Sequence, residues 1–430
     1  MHWIRSLLRK EPQARRFFGA YAQSALGTGA GYVAIVLVAY QRFHSPLAIS
    51  LVLLADIAPP MLLGPIFGAA VDRWSRRRSA IAADVMRALA FAGIAVTHSF
   101  AATIVLALVA GAGTSLWKPA IMAALPGVVS RERLPAATAL YGALTEIGYT
   151  VGPGLAGIVL LFSGPRPLLA ANAASFAISA LMLSTLSFGA PARAGASEVR
   201  DRLSLLREAR QGIGVVMRTR AVRTVIVATS SILFFGGLIN VCELLLSNQL
   251  GAGRTGYALL VTVSGIAIAS GSIVGRSGGS LPRLERRFLF GVVLFAAGLA
   301  GASASPAFAG VVAGVGLGGL GNGMVIVFQR LILQASVRDD LLGRVFGVQV
   351  ALDGVAFTSS YLAAAALLTV FGPRAMFVVA GIGALLVAGA TGYVLRGTWL
   401  EGRLPEPAGA GGEPAPDPAV EPVPSGARGL

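Results

Sequence analysis

Apolar residues in this chain come in long unbroken runs, not in strict alternation and not as a single stripe at helical spacing. Twelve runs can be marked: 17–41, 46–71, 79–97, 100–128, 135–162, 167–188, 222–249, 255–279, 288–304, 307–335, 341–370 and 374–395. Crossing the hydrocarbon core of a bilayer takes about 20 residues of helix, and a helix that is apolar on every side is buried in protein or lipid. The pattern therefore predicts an all-α membrane protein with twelve transmembrane helices. Polar residues gather between the runs. The longest interior break, Ala190 to Arg220, holds the amphipathic stretch Glu198-Val-Arg-Asp-Arg-Leu-Ser-Leu-Leu-Arg-Glu208, which predicts a surface helix between two six-helix halves.

The organisation expected is an N-terminal segment (1–16), a bundle (17–189), a connector (190–221), a second bundle (222–396) and a tail (397–430). Met1 to Lys10 reads as a short interfacial helix, with Trp3, Leu7 and Leu8 toward lipid and Arg5 and Arg9 toward headgroups. Pro405 to Leu430 is Pro, Gly, Ala and Glu without periodicity and is expected to be disordered.

Composition agrees. The 430 residues are 55% hydrophobic and only 13% charged, against roughly a quarter charged in a soluble domain. The net charge of +16 would suit a nucleic-acid partner if its arginines were clustered. They alternate between loops instead. Arg5 to Arg16, Arg73 to Arg78, Arg131 and Arg133, the 190–223 connector, Arg283 to Arg287, and Arg338 and Arg344 mark one side, and the other loops have little, with Arg42, Arg166, Arg254 and Arg374 one apiece. The positive-inside rule then puts both termini in the cytoplasm, with the bilayer rather than nucleic acid as partner. The first run is too long for a cleavable signal and lacks a cleavage site, so it is expected to stay as an anchor. Cys242 stands alone in an apolar run, and His2, His44 and His98 do not cluster, so neither a metal site nor a cofactor is expected.

The halves read as repeats. Ser130-Arg-Glu-Arg-Leu134 sets over Val337-Arg-Asp-Asp-Leu341, an offset of 207 residues. The same offset lays Glu146 on Asp353, Gly68 on Gly275 and Asp72 on Gly279.

An ionisable residue inside a span costs about 2.5–3.5 kcal/mol on insertion scales and is a functional candidate by default. Lys118 and Glu146 lie fourteen residues either side of Glu132, so an antiparallel hairpin would bring them to one depth, where an ion pair is possible. Pro119 beside Lys118 permits a kink. Asp353 occupies the matching place in the eleventh span, with Arg330 and Gln329 on the tenth as its candidate partners. Asp56 lies mid-span before Pro59-Pro60. Glu243, with Asn240 one turn earlier, admits a snorkelling explanation as readily as a role. Asp84 and Arg87, three apart, read as a structural pair, and Asn322 reads as a helix–helix hydrogen bond.

Three stretches carry a resemblance. Gly68-Ala-Ala-Val-Asp72-Arg73-Trp-Ser-Arg76-Arg77 matches the G-x-x-x-D-R-x-x-R-R loop between the second and third helices of the major facilitator superfamily. Trp117-Lys-Pro-Ala-Ile-Met-Ala-Ala-Leu-Pro126 with Arg131-Glu-Arg-Leu134 resembles the branch that holds the enterobactin exporter and the macrolide-efflux transporters. Gly148-Tyr-Thr-Val-Gly152-Pro153-Gly154-Leu-Ala-Gly157 resembles that superfamily's fifth-span antiporter motif, G-x-x-x-G-P-x-x-G-G.

The resemblance implies two pseudo-symmetric six-helix bundles with a substrate site at the midplane between them. It also implies a cytoplasmic latch in which Asp72 faces the start of the eleventh span at Gly343 and Arg344, aided by Arg73 and Arg77. The activity implied is a non-enzymatic, monomeric, proton-coupled exporter of a drug, siderophore or other amphipathic small molecule in the cytoplasmic membrane. Glu146, Asp353 and Asp56 are its candidate carboxylates. A metabolite importer or uniporter, and a receptor or scaffold of the same shape, are the alternatives. No G-x-x-x-x-G-K loop occurs, so ATP is not the evident energy source.

Overall fold

The structure, a computed structural model, describes residues 7–9, 11–186, 202–274 and 279–401; of these, the side chains of 62–73, 202–209, 340 and 397–401 are outside the description. Among the described residues the helices are α1 Pro12–Phe43, α2 Pro46–Arg73, α3 Arg76–Val96, α4 Phe100–Ala124, α5 Leu134–Phe162, α6 Pro165–Ser184, α7 Arg202–Arg218, α8 Arg220–Gln249, α9 Gly253–Val274, α10 Leu281–Ala304, α11 Phe308–Ser336, α12 Asp339–Leu367 and α13 Pro373–Glu401. Eleven are long and apolar enough to cross a membrane, and α2 adds the twelfth, apolar over its described part Pro46–Met61. The remaining helix, α7, is the amphipathic connector.

Local chemistry sets the boundaries. Pro12, Pro46, Pro165 and Pro373 stand first in their helices, where a missing N–H costs nothing. Ser75 and Ser99 cap α3 and α4 by accepting from the backbone N–H groups of Arg78 and Ala102. At the end of α1, His44 takes the left-handed conformation (φ 47°), and its N–H returns to the Tyr40 carbonyl at 2.8 Å. Arg42 then reaches the exposed C-terminal carbonyls of α3, donating to Ile94 O at 2.7 Å and Ala95 O at 2.8 Å. Large apolar side chains such as Val96, Phe162 and Leu386 face outward, as lipid contact requires.

Several expected boundaries move. The ninth span was expected from 288, but α10 begins at Leu281 and carries Arg283, Arg286 and Arg287 as its first turns. Hydrogen bonding continues a helix past the bilayer edge wherever its side chains can reach water. For the same reason α13 runs to Glu401, into the segment expected as tail. The expected disordered tail beyond 401 and the first turns of the expected interfacial helix lie outside the described residues.

The packing scheme repeats. In the first half α1 packs on α5 and α6, α4 on α2 and α3, and α3 on α6. In the second half α8 packs on α12 and α13, α11 on α9 and α10, and α10 on α13. Each pairing recurs at a shift of six spans, as the 207-residue offset predicts. The bundles meet along α5 with α9 and α2 with α12.

Candidate functional site

Close approach at the bundle seam depends on small residues. A Cβ on Gly265 of α9 would stand 3.1 Å from Thr150 of α5, one on Gly157 would stand 3.2 Å from Ala258, and one on Gly354 of α12 would stand 3.3 Å from the Met61 sulfur of α2. Between these seams lies a cavity of about 230 Å³, lined by Tyr32, Ile57, Tyr149, Pro153, Phe357 and Tyr361 among others. Contributions from α1, α2, α5 and α12 make it a site that exists only between the two halves. On the side away from the chain termini, Tyr257 and Tyr361 are fully buried, and the Tyr32 and Tyr257 phenols face one another across the bundles.

Asp56 is within electrostatic reach of Tyr149 and Tyr361 at this cavity. Its backbone lies directly on Gly111 of α4, which only a residue without a side chain allows. Asp353 is four residues before Phe357, on the same face of α12. Its expected partner is corrected: Ser230 of α8 donates to one carboxylate oxygen at 2.8 Å and Gln349 to the other at 3.4 Å. Arg330 is exposed, and Gln329 is buried with its amide nitrogen unpartnered.

The ion pair considered between Lys118 and Glu146 does not form, and both residues are exposed. The reason is topological. α4 ends at Ala124, two short 3-10 turns follow (Leu125–Gly127 and Arg131–Arg133), and α5 begins at Leu134. Lys118 is therefore about 9 Å before its helix ends, whereas Glu146 is about 18 Å into its own. Moreover α4 packs chiefly on α2 and α3, and α5 on α1 and α9; the two meet through side chains, Trp117 stacking on Tyr141 at 6.3 Å, and not along their backbones.

The glycine motif of α5 faces two ways. A Cβ on Gly148 would stand 2.6 Å from the Ala25 carbonyl of α1, and one on Gly152 would stand 2.7 Å from that of Leu26. Pro153 lines the interbundle cavity and Gly157 meets α9. Of the expected latch, Gly68, Asp72 and Arg73 lie outside the described side chains. Arg76 and Arg77 open α3 at the surface, half-buried and exposed. Around Gly343 and Arg344 the connector supplies the contact: Gly212 of α7 lies so close that a Cβ there would be 2.7 Å from the Arg344 carbonyl. Val216, Val337 and Val345 seal that junction.

Two polar clusters exceed their sequence reading. Asp84 and Arg87 pair as expected, but in the bundle interior, with Asp84 at 0% and Arg87 at 5% exposure. The guanidinium lies 4.3 Å from the Phe176 ring centroid and 4.8 Å from that of Trp117. Tyr21 stacks on Tyr141 at 4.6 Å and shares a 2.5 Å hydrogen bond with Thr145. In the second half, Glu243 does not snorkel. It is 5% exposed and lines a chamber of about 240 Å³ inside the bundle, with Asn240, Ser264 and Asn322. The pattern Asn240-x-x-Glu243, three apart and so on one helix face, was the available signal.

Twin bundles with one internal packing scheme, meeting around a shared cavity, define a polytopic membrane transporter. The chain belongs to the Major Facilitator Superfamily, whose pattern matches residues 17–301. It is 28% identical over 365 residues to an uncharacterized MFS-type transporter, y4rN, of Sinorhizobium fredii, covering 83% of this chain and 88% of the relative. It is 26% identical over 375 residues to the multidrug efflux pump Tap of Mycobacterium tuberculosis, covering 83% and 87%. Its fold matches the crystal structure of the nucleoside transporter NupG with TM-score 0.70 at 11% identity, over 89% of this chain and 99% of that one.

Proposed function

We propose that this chain is a secondary active exporter that moves an amphipathic organic molecule out of the cytoplasm in exchange for protons. The observation that carries this reading is the interbundle cavity, largely apolar and aromatic in lining, with Asp56 within electrostatic reach of its Tyr149 and Tyr361 and Asp353 on an adjoining helix face. Such a site suits a largely apolar ligand oriented by few polar groups. The Tap relative supports export. Glu146, Asp353 and Asp56 are the carboxylates through which protons would be exchanged, and Asp72 with Arg73 would latch the termini-side gate against the start of α12. Neither ATP nor a chemical transformation enters the scheme.

Everted membrane vesicles made acid inside provide the test, with a labelled macrolide, tetracycline and siderophore as probes. An exporter accumulates its substrate inside, and nigericin abolishes the accumulation. Glu146→Gln, Asp353→Asn and Asp56→Asn should each be made, and at least one should lose gradient-driven uptake while remaining folded. Movement only in the opposite direction would favour an importer. Movement of none of the probes, and of no protons, would favour a receptor or scaffold.

A further inference from the structure

Glu243 sits where a carboxylate is costly. It is 5% exposed, and the described residues offer it neither a hydrogen bond nor a counter-ion. The groups within electrostatic reach are Tyr32, Tyr257, Tyr361 and Cys242, none of them basic. An isolated buried charge costs several kcal/mol even after relaxation, so such a group must meet a proton or a cation.

The surroundings favour a cation with a body. The chamber measures about 240 Å³, many times the roughly 10–15 Å³ that one water requires. Asn240, Ser264 and Asn322 bring oxygen acceptors to it, while Phe295 and Phe357 bring aromatic rings. Carboxylate, amide oxygen and aromatic rings together are what an alkylammonium group finds favourable. A bare metal ion would need its oxygens drawn in to about 2.0–2.6 Å, and a space this large does not hold them there. Asn240 and Phe357 also line the interbundle cavity, so the two spaces adjoin across these side chains.

We infer that the chamber within the second bundle is a subsite for the charged end of an organic ammonium ligand, whose apolar remainder extends past Phe357 into the interbundle cavity. The inference rests on the transport reading and supplies its substrate class.

Binding tests it without transport. The full chain, reconstituted in lipid nanodiscs, is titrated calorimetrically with benzyltrimethylammonium, whose charge is independent of pH, and with its neutral isostere neopentylbenzene. The expected result is that Glu243→Gln weakens the ammonium at least tenfold, that Glu243→Asp weakens it less, and that neither variant alters binding of the isostere. Thermal unfolding checks that the variants fold. Equal ammonium affinity in Glu243→Gln and the parent overturns the inference, and so does a folded parent that binds none at millimolar concentration. Proton uptake that depends on Glu243 without ammonium binding also overturns it, since the chamber would then serve a proton alone. Selective binding in nanodiscs without movement in vesicles would leave the subsite standing and remove the exporter.

Discussion

Asp84 in the first half and Glu243 in the second are both carboxylates buried among helices, and the two are treated in opposite ways. In the first bundle Asp84 is matched by Arg87 one helical turn away, and the guanidinium is boxed between Trp117 and Phe176. The space around it is filled. In the second bundle Glu243 faces a chamber whose wall includes four glycines, Gly236, Gly237, Gly318 and Gly319. These two sites, in halves with one packing scheme, thus differ in what they do with a charge. One neutralises it internally, where it contributes to rigidity, and the other leaves it to an external partner, where it is available for binding.

The largest expected effect comes from unpairing the first. Arg87→Ala leaves Asp84 charged and buried, which typically costs about 3–5 kcal/mol. The purified protein should show a large fall in unfolding temperature, or fail to accumulate. Asp84→Asn combined with Arg87→Met removes both charges and should recover most of the loss. Glu243→Gln, by contrast, should lose no stability, because nothing among the described residues balances that charge. A comparable fall in both single variants would erase the distinction between the bundles.

Next comes one substitution at two glycines. Gly148→Ala puts its methyl 2.6 Å from the Ala25 carbonyl, a backbone atom that cannot swing aside. Overpacking of this kind costs roughly 1–3 kcal/mol. At Gly318, lining the chamber, the nearest atom to an added Cβ is 3.6 Å away. Gly318→Ala should gain up to about 1 kcal/mol from helix propensity. Opposite signs in thermal unfolding would show that the first bundle is tight where the second is open. Equal losses would mean that the chamber closes up in the membrane.

Much of this was legible in the sequence. Span number, the connector helix and the internal repeat follow from apolar run length and one offset, both of which survive uncertainty in helix ends. The pairing of Asp84 with Arg87 follows from a spacing of three. Contacts that depend on which helices are neighbours were not legible. Lys118 and Glu146 look opposed on a hairpin, yet α4 and α5 pack mainly on other helices and the two side chains point outward. Asp353 finds Ser230 on α8, not Arg330 on α11, because α12 packs mainly on α8. The position that the repeat places under Ser230 is Gln23, and its amide turns away to donate to the Ser175 carbonyl at 2.8 Å. Glu146 is thereby left without the partner its counterpart has. Nor can a single helix show that Asn240, Glu243 and Asn322 border one space, since that requires α8 and α11 to be placed together.

The smallest effect tests that separation directly. Lys118→Ala and Glu146→Gln change exposed side chains that form no ion pair with one another, so each should shift stability by no more than about 0.5 kcal/mol. Their double-mutant cycle should close, with a coupling energy indistinguishable from zero, as expected for groups that share no contact. Chemical denaturation of the four proteins in the same detergent measures it. A coupling above about 0.5 kcal/mol would mean that Lys118 and Glu146 meet in some populated state. The first bundle would then hold a second, conditional ion pair, and the contrast with the open carboxylate of the second bundle would depend on conformation instead of being built into the fold.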